Sequence, residues 1–209
     1  MPIIAWRYGY NTVCMTFSGA GFLILLAASA CLWLYGRRTS RLGNAAVIRR
    51  AVPAGIVLGL LWVVEISINN FIATPLPARD IIDNIFWAII ALSILALSSF
   101  HAYRTDRFRS GVEFGAWSGF VSGTLACCMA LSLIVFGMHF ITQDPLNVAE
   151  WAARRTDSVA PTMAAYFAYE TFAGAFLHLI VLGILMGGLS GLLGGTIGKV
   201  IKIVCQSDR

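Results

Sequence analysis

The apolar run from Gly59 to Ala73, GLLWVVEISINNFIA, carries one carboxylate, Glu65, and two amides, Asn69 and Asn70. A second carboxylate, Glu170, interrupts another apolar run, and His139 stands near the end of a third. Residues four apart share a helix face, so Glu65 and Asn69 project together if the run is helical. An ionisable group at the centre of a bilayer costs about 2.5–3.5 kcal/mol even on the most forgiving scale, which forces such a carboxylate toward protein or water. Two kinds of chemistry follow. A carboxylate flanked by amides in a dry site can carry a proton or ligate a cation. Alternatively it stays neutral and hydrogen-bonds to a neighbouring helix, pinning the bundle.

The elements that position these groups are membrane spans. The chain has 209 residues, 58% hydrophobic and 12% charged, with a mean hydropathy of +0.79; soluble domains carry about 25% charged residues. Apolar runs long enough to cross a bilayer, about 20 residues each, occur at about 12–35, 52–74, 82–103, 112–142 and 162–198. They predict an all-α integral membrane protein, one transmembrane domain over residues 1–209 built as a bundle of five helices. The last two runs are longer than the bilayer needs. They tilt or project beyond it or, in the alternative with six spans, one turns back on itself at its glycines. Between them, QDPLNVAEWAARR (Gln143 to Arg155) predicts a short outer interfacial helix. Asp144 can cap it, Pro145 suits its first position, and Trp151 suits the membrane surface.

Charge sets the orientation. Arg37, Arg38, Arg41, Arg49, Arg50, Arg104, Arg107, Arg109, Lys199, Lys202 and Arg209 fall on one side of five spans, against Arg7, Arg79, Arg154 and Arg155 on the other. The positive-inside rule then predicts a multi-pass cell-membrane protein with its N-terminus outside and its C-terminus in the cytoplasm. The same distribution explains the net charge of +5 without a nucleic-acid partner, because the basic residues sit beside apolar runs and not on a polar face.

Glycines mark where helices pack. Gly111, Gly115, Gly119 and Gly123 recur at a spacing of four, as do Gly183, Gly187, Gly191 and Gly195, and Gly55 and Gly59 repeat the device once. Each series makes a groove that admits another backbone. The grooves serve packing between spans within the chain, or association with a second copy or a membrane-protein partner.

Several function classes lack their residues. No HExxH, phosphate loop or GxSxG is present, and the GLSG at Gly188 to Gly191 has no histidine after its serine. An enzyme is not expected. The five cysteines form no CxxC, and His101, His139 and His178 fall at three different depths, so neither a metal site nor a haem is expected, nor any other cofactor. With the orientation above, Glu65 and Glu170 lie at similar depths, roughly 12 and 10 Å below the outer edge at 1.5 Å per residue. Polar groups gather in the outer half and glycines in the inner half. This arrangement predicts an outward-facing pocket lined by Glu65, Asn69, Asn70 and Glu170 with His139 near its mouth, taking a small solute or cation.

The expected function is that of a solute- or cation-binding transport subunit embedded in the lipid bilayer. In size and layout the chain is similar to the substrate-binding membrane subunits of energy-coupling-factor transporters, a likeness of architecture that implies partner subunits. The alternative is a non-transporting structural or regulatory subunit of a membrane complex, in which Glu65 and the asparagines only pin the bundle.

Overall fold

In the computed structural model, residues 45–72, 75 and 77–207 are described. They are all-helical, with no strand among them. Among the described residues, four helices are long and apolar enough to cross a membrane: α1 (Ala45–Ile72), α2 (Ala78–Thr105), α3 (Phe108–Gln143) and α5 (Met163–Ser207). Between the last two lies α4 (Pro145–Arg154). The span expected at 12–35 lies outside the described residues. The six-span alternative is corrected: 108–143 and 163–207 are each one continuous helical run that does not turn back at its glycines.

The helices start and stop where their chemistry dictates. Proline-rich 75–77 separates α1 from α2. α2 ends at Asp106, which adopts a left-handed conformation (φ 56°) and returns its N–H to the Ala102 carbonyl. Aspartate tolerates that conformation better than most residues. Lys199 near the end of α5 donates to the Asp106 carbonyl (3.1 Å) and carboxylate (2.7 Å), tying this turn to the last helix. The short helix α4 begins as its sequence suggests, with Pro145 in the first turn and the Asp144 carboxylate accepting from Leu146 N at 2.8 Å. Trp151, however, turns inward against Tyr166, with ring centroids 5.5 Å apart.

The two long glycine series face each other. A Cβ built on Gly111 would lie 2.8 Å from Gly195 Cα, one on Gly119 2.6 Å from Gly187 Cα, and one on Gly123 2.7 Å from Gly183 Cα; Gly115 meets Gly191 in the same way. Contacts this close exist only because both partners lack a side chain. Helices α3 and α5 therefore run antiparallel along one seam, and the faces open to a partner in the sequence reading are spent within the chain. Gly55 and Gly59 take Val121 and Leu125 of α3, so α1 joins the opposite side of α3. Gly194, outside the series of four, makes room for α2: a Cβ built on it would lie 2.7 Å from the Leu95 carbonyl oxygen.

Large apolar side chains on the outside complete the picture. Phe136 is 79% exposed, Ile72 67% and Leu92 62%, spread over three helices. A soluble domain rarely leaves so many large apolar side chains in water, and a surface of this kind suits the hydrocarbon of a bilayer.

Candidate functional site

Among the described residues, three stretches of the long helices relax from α to π geometry: Ile68–Ile72 at the end of α1, Leu133–Gly137 in α3 and His178–Leu185 in α5. Such wide turns recur at functional sites because they shift the side chains that follow out of the regular helical register. Two of the three carry polar side chains: Asn69 and Asn70 lie in the first, and His178 opens the third.

These residues meet in a cavity of about 290 Å³, at the end of the bundle away from the glycine seam. Its wall includes Glu65, Asn69 and Asn70 from α1, Arg79 and Asp83 from the start of α2, Asn147 and Glu150 from α4, and Glu170 and His178 from α5. Glu65 is 3% exposed. Its Oε1 accepts from Asn69 Nδ2 at 2.7 Å, and the same amide donates to Asp83 Oδ1 at 2.6 Å. One asparagine thus spends both N–H groups on two carboxylates from different helices. Asn70 returns its amide to the Ile66 carbonyl (2.8 Å), where the π turn has displaced the regular helical ladder.

The other oxygen of Glu65 faces His178. Glu65 Oε2 and His178 Nε2 are 3.7 Å apart, too far for a hydrogen bond but within ion-pair reach, and neither atom has a hydrogen-bond partner among the described residues. His178 Nδ1 lies 2.8 Å from the Gly174 carbonyl, which can only accept, so Nδ1 carries a proton. In the neutral ring Nε2 is then an acceptor, and two acceptors face one another unless a proton or a cation comes between them. The buried indole of Trp62 supports the imidazole edge-on, with centroids 5.0 Å apart at 90°.

Toward the loops, the groups pair with each other. Arg79 reaches Glu150 at 3.6 Å, and Arg154 lies 3.8 Å from both Glu150 and Glu170. Tyr166 donates to Glu150 at 3.3 Å. Glu170 also lines a second, more open cavity of about 510 Å³ with Arg154, Tyr166 and Tyr169. That makes it the residue between an inner chamber and an outer vestibule.

Of the five pocket residues read from sequence, Glu65, Asn69, Asn70 and Glu170 line one cavity. His139 does not. Met138 and Ile141 turn into the core, leaving His139 on the exposed face with its ring against Phe140, centroids 5.7 Å apart. The π segment just before it shifts the register of the helix end, which no spacing rule anticipates. The vestibule is built by Arg154 and the two tyrosines instead. Sequence reasoning left out Arg79, Asp83, Glu150 and His178; a signal existed for the last, since Glu170, Gly174 and His178 follow at a spacing of four and all line the cavity.

Among the described residues, no three histidine, cysteine or acidic side chains converge as a metal-binding set. Comparison with known proteins finds no family model, no curated protein and no solved structure that matches the chain.

Proposed function

We propose that the chain is a multi-pass membrane protein that binds a small cation or cationic solute in the Glu65 cavity, as the binding subunit of a transport process. The carrying observation is the balance of charge and hydrogen bonds around that cavity. Four carboxylates line it against one guanidinium and one imidazole. Arg79 answers Glu150 and Arg154 reaches Glu170, which leaves Glu65 and Asp83 sharing a neutral amide, with a Glu65 oxygen that faces His178 and has no hydrogen-bond partner among the described residues. A cation of modest size satisfies that oxygen, and Asn69, on the same cavity wall, has an Oδ1 that also lacks a hydrogen-bond partner among the described residues. A volume near 290 Å³ lies at the small end of ligand pockets.

Orientation follows from charge. The cavity lies at the end bearing Arg79, Arg154 and Arg155, while Arg49, Arg50, Arg104, Arg107, Arg109, Lys199 and Lys202 lie at the other. The positive-inside rule puts the cavity outside, with α4 lying along the outer surface.

One observation favours the rival structural role: the Asn69 amide, held on Glu65 within α1, reaches across to Asp83 of α2 through a short hydrogen bond, as a pin would. Thermal melting of the purified wild type and Glu65→Gln, in sodium, potassium, ammonium, methylammonium and choline chlorides at fixed ionic strength, separates the two. A bound cation at a hundred times its Kd stabilises the fold by about 2.7 kcal/mol. The binding role requires that at least one cation raise the wild-type midpoint and lose that effect in Glu65→Gln. If no cation shifts the wild type, or both proteins respond alike, the pin is the correct reading.

A further inference from the structure

The opposite end of the bundle holds a second site, independent of the Glu65 cavity. A groove of about 370 Å³ lies between the start of α1, the end of α2 and the start of α3. Arg50 and Arg104 stand on its rim, and among the described residues neither has a carboxylate within ion-pair distance. The acidic groups nearby are engaged: Asp106 with Lys199 at 2.7 Å, and Glu113 with Arg109 at 2.8 Å. Arg104 is held over the Phe100 ring, its Cζ 5.4 Å from the centroid.

Deeper in the groove is His101, only 5% exposed, whose Nε2 has no hydrogen-bond partner among the described residues. Its ring leans on Phe114, centroids 5.3 Å apart. The rest of the wall is apolar, and Leu97 (39% exposed) and Phe100 (59% exposed) continue it onto the outer surface of α2. Two forked cations and one buried imidazole nitrogen therefore stand at the head of an apolar slot, on the flank of a helix long and apolar enough to cross a membrane.

We propose that this groove binds an anionic phospholipid of the surrounding bilayer. Its phosphodiester sits between Arg50 and Arg104 and accepts from His101 Nε2–H, and one acyl chain runs along Leu97 and Phe100. Guanidinium groups match phosphate oxygens in charge and in fork geometry. The positive-inside rule puts this end at the cytoplasmic leaflet, where acidic headgroups concentrate.

The test uses the full chain purified in detergent, with lipid retention followed by native mass spectrometry and thermal midpoint. The probes are phosphatidylglycerol, phosphatidylcholine and inorganic phosphate. The variants are Arg50→Gln/Arg104→Gln and, as a control of equal charge change at the same end outside the groove, Arg49→Gln/Arg107→Gln. The expected result is that phosphatidylglycerol stays bound and raises the wild-type midpoint, that the groove variant loses at least tenfold in affinity, and that the control stays within about twofold. Arg104→Gln alone gives the same comparison if the double variant does not fold. Equal losses in both variants would overturn the proposal in favour of diffuse end charge. Equal retention of phosphatidylcholine would overturn it in favour of a general lipid surface, and a matching response to inorganic phosphate in favour of a free-anion site.

Discussion

Gly123→Ala probes the seam where it comes nearest the cavity. A Cβ at Gly123 falls 2.7 Å from Gly183 Cα, 2.9 Å from the His178 carbonyl oxygen and 3.2 Å from Leu179 Cα. All three are backbone atoms of α5, so no rotamer change relieves the contact. Carbon atoms rest at about 3.5 Å or more, and the helices must therefore part locally by about 0.8 Å. A gap of roughly 0.5–1 Å forfeits a quarter to a half of the dispersion attraction of the facing atoms, and stiff helices spread that loss to the neighbouring glycine pairs. Overpacking of this kind costs about 1–3 kcal/mol. Gly188→Ala, on the α5 side of the seam, is the control, because a Cβ there meets nothing within 4 Å among the described residues. Both variants gain the same helix propensity, so their difference isolates the clash. Unfolding in mixed micelles with increasing sodium dodecyl sulfate, followed by tryptophan fluorescence, measures it. A difference below about 0.5 kcal/mol, well under the overpacking range, would refute the seam.

Two further predictions concern the connections. The Lys199 ammonium, hydrogen-bonded to Asp106, holds that carboxyl below the ordinary carboxylate range. A depressed folded-state value means that the contribution is present at neutral pH and is lost as pH falls through that value. Asp106→Asn keeps the left-handed turn but flattens the acid limb of melting temperature against pH; an unchanged acid limb would show that the bridge contributes nothing. Asn147 is 3% exposed and donates to the Ile141 carbonyl at 2.9 Å, closing α4 onto the end of α3. Asn147→Ala should cost about 1–3 kcal/mol and speed proteolytic cleavage between α3 and α5; a variant as stable and as resistant as wild type would argue that α4 is held elsewhere.

Much of the scaffold was legible because it rests on periodicity and composition. The apolar runs at 52–74, 82–103, 112–142 and 162–198 overlap the four long apolar helices of the described residues, which extend further at 45–51, 78–81, 104–105, 108–111 and 199–207. The glycine series were legible because a spacing of four survives from sequence to surface. What could not be read was which series meets which, since pairing is a tertiary choice, and where a helix widens. The π turns carry no residue signature, yet one contains Asn69 and Asn70, one opens at His178, and one precedes the His139 that misses the cavity. The Glu65–His178 pair was hidden for the same reason. It requires α1 and α5, far apart in sequence, to meet at one register.

That register and the seam are linked through a single residue. The backbone oxygen that a Cβ on Gly123 would strike belongs to His178, and the imidazole of His178 is the group facing Glu65 Oε2 at 3.7 Å. Closing α3 onto α5 at four glycine pairs fixes how far the first half of α5 stands from α1. Beyond the last pair, Trp62, Ile134, Phe167 and Phe172 fill the core, and helices carrying such side chains pack about 8–10 Å apart. The bundle is therefore narrow where it has glycines and wide where it has aromatics, and the carboxylates sit in the wide part, where polar groups and a cation can be accommodated. It follows that the clash at Gly123 moves the histidine and not only the helix. Its effect on the cation response of the Glu65 cavity should exceed that of an equally destabilising change remote from His178.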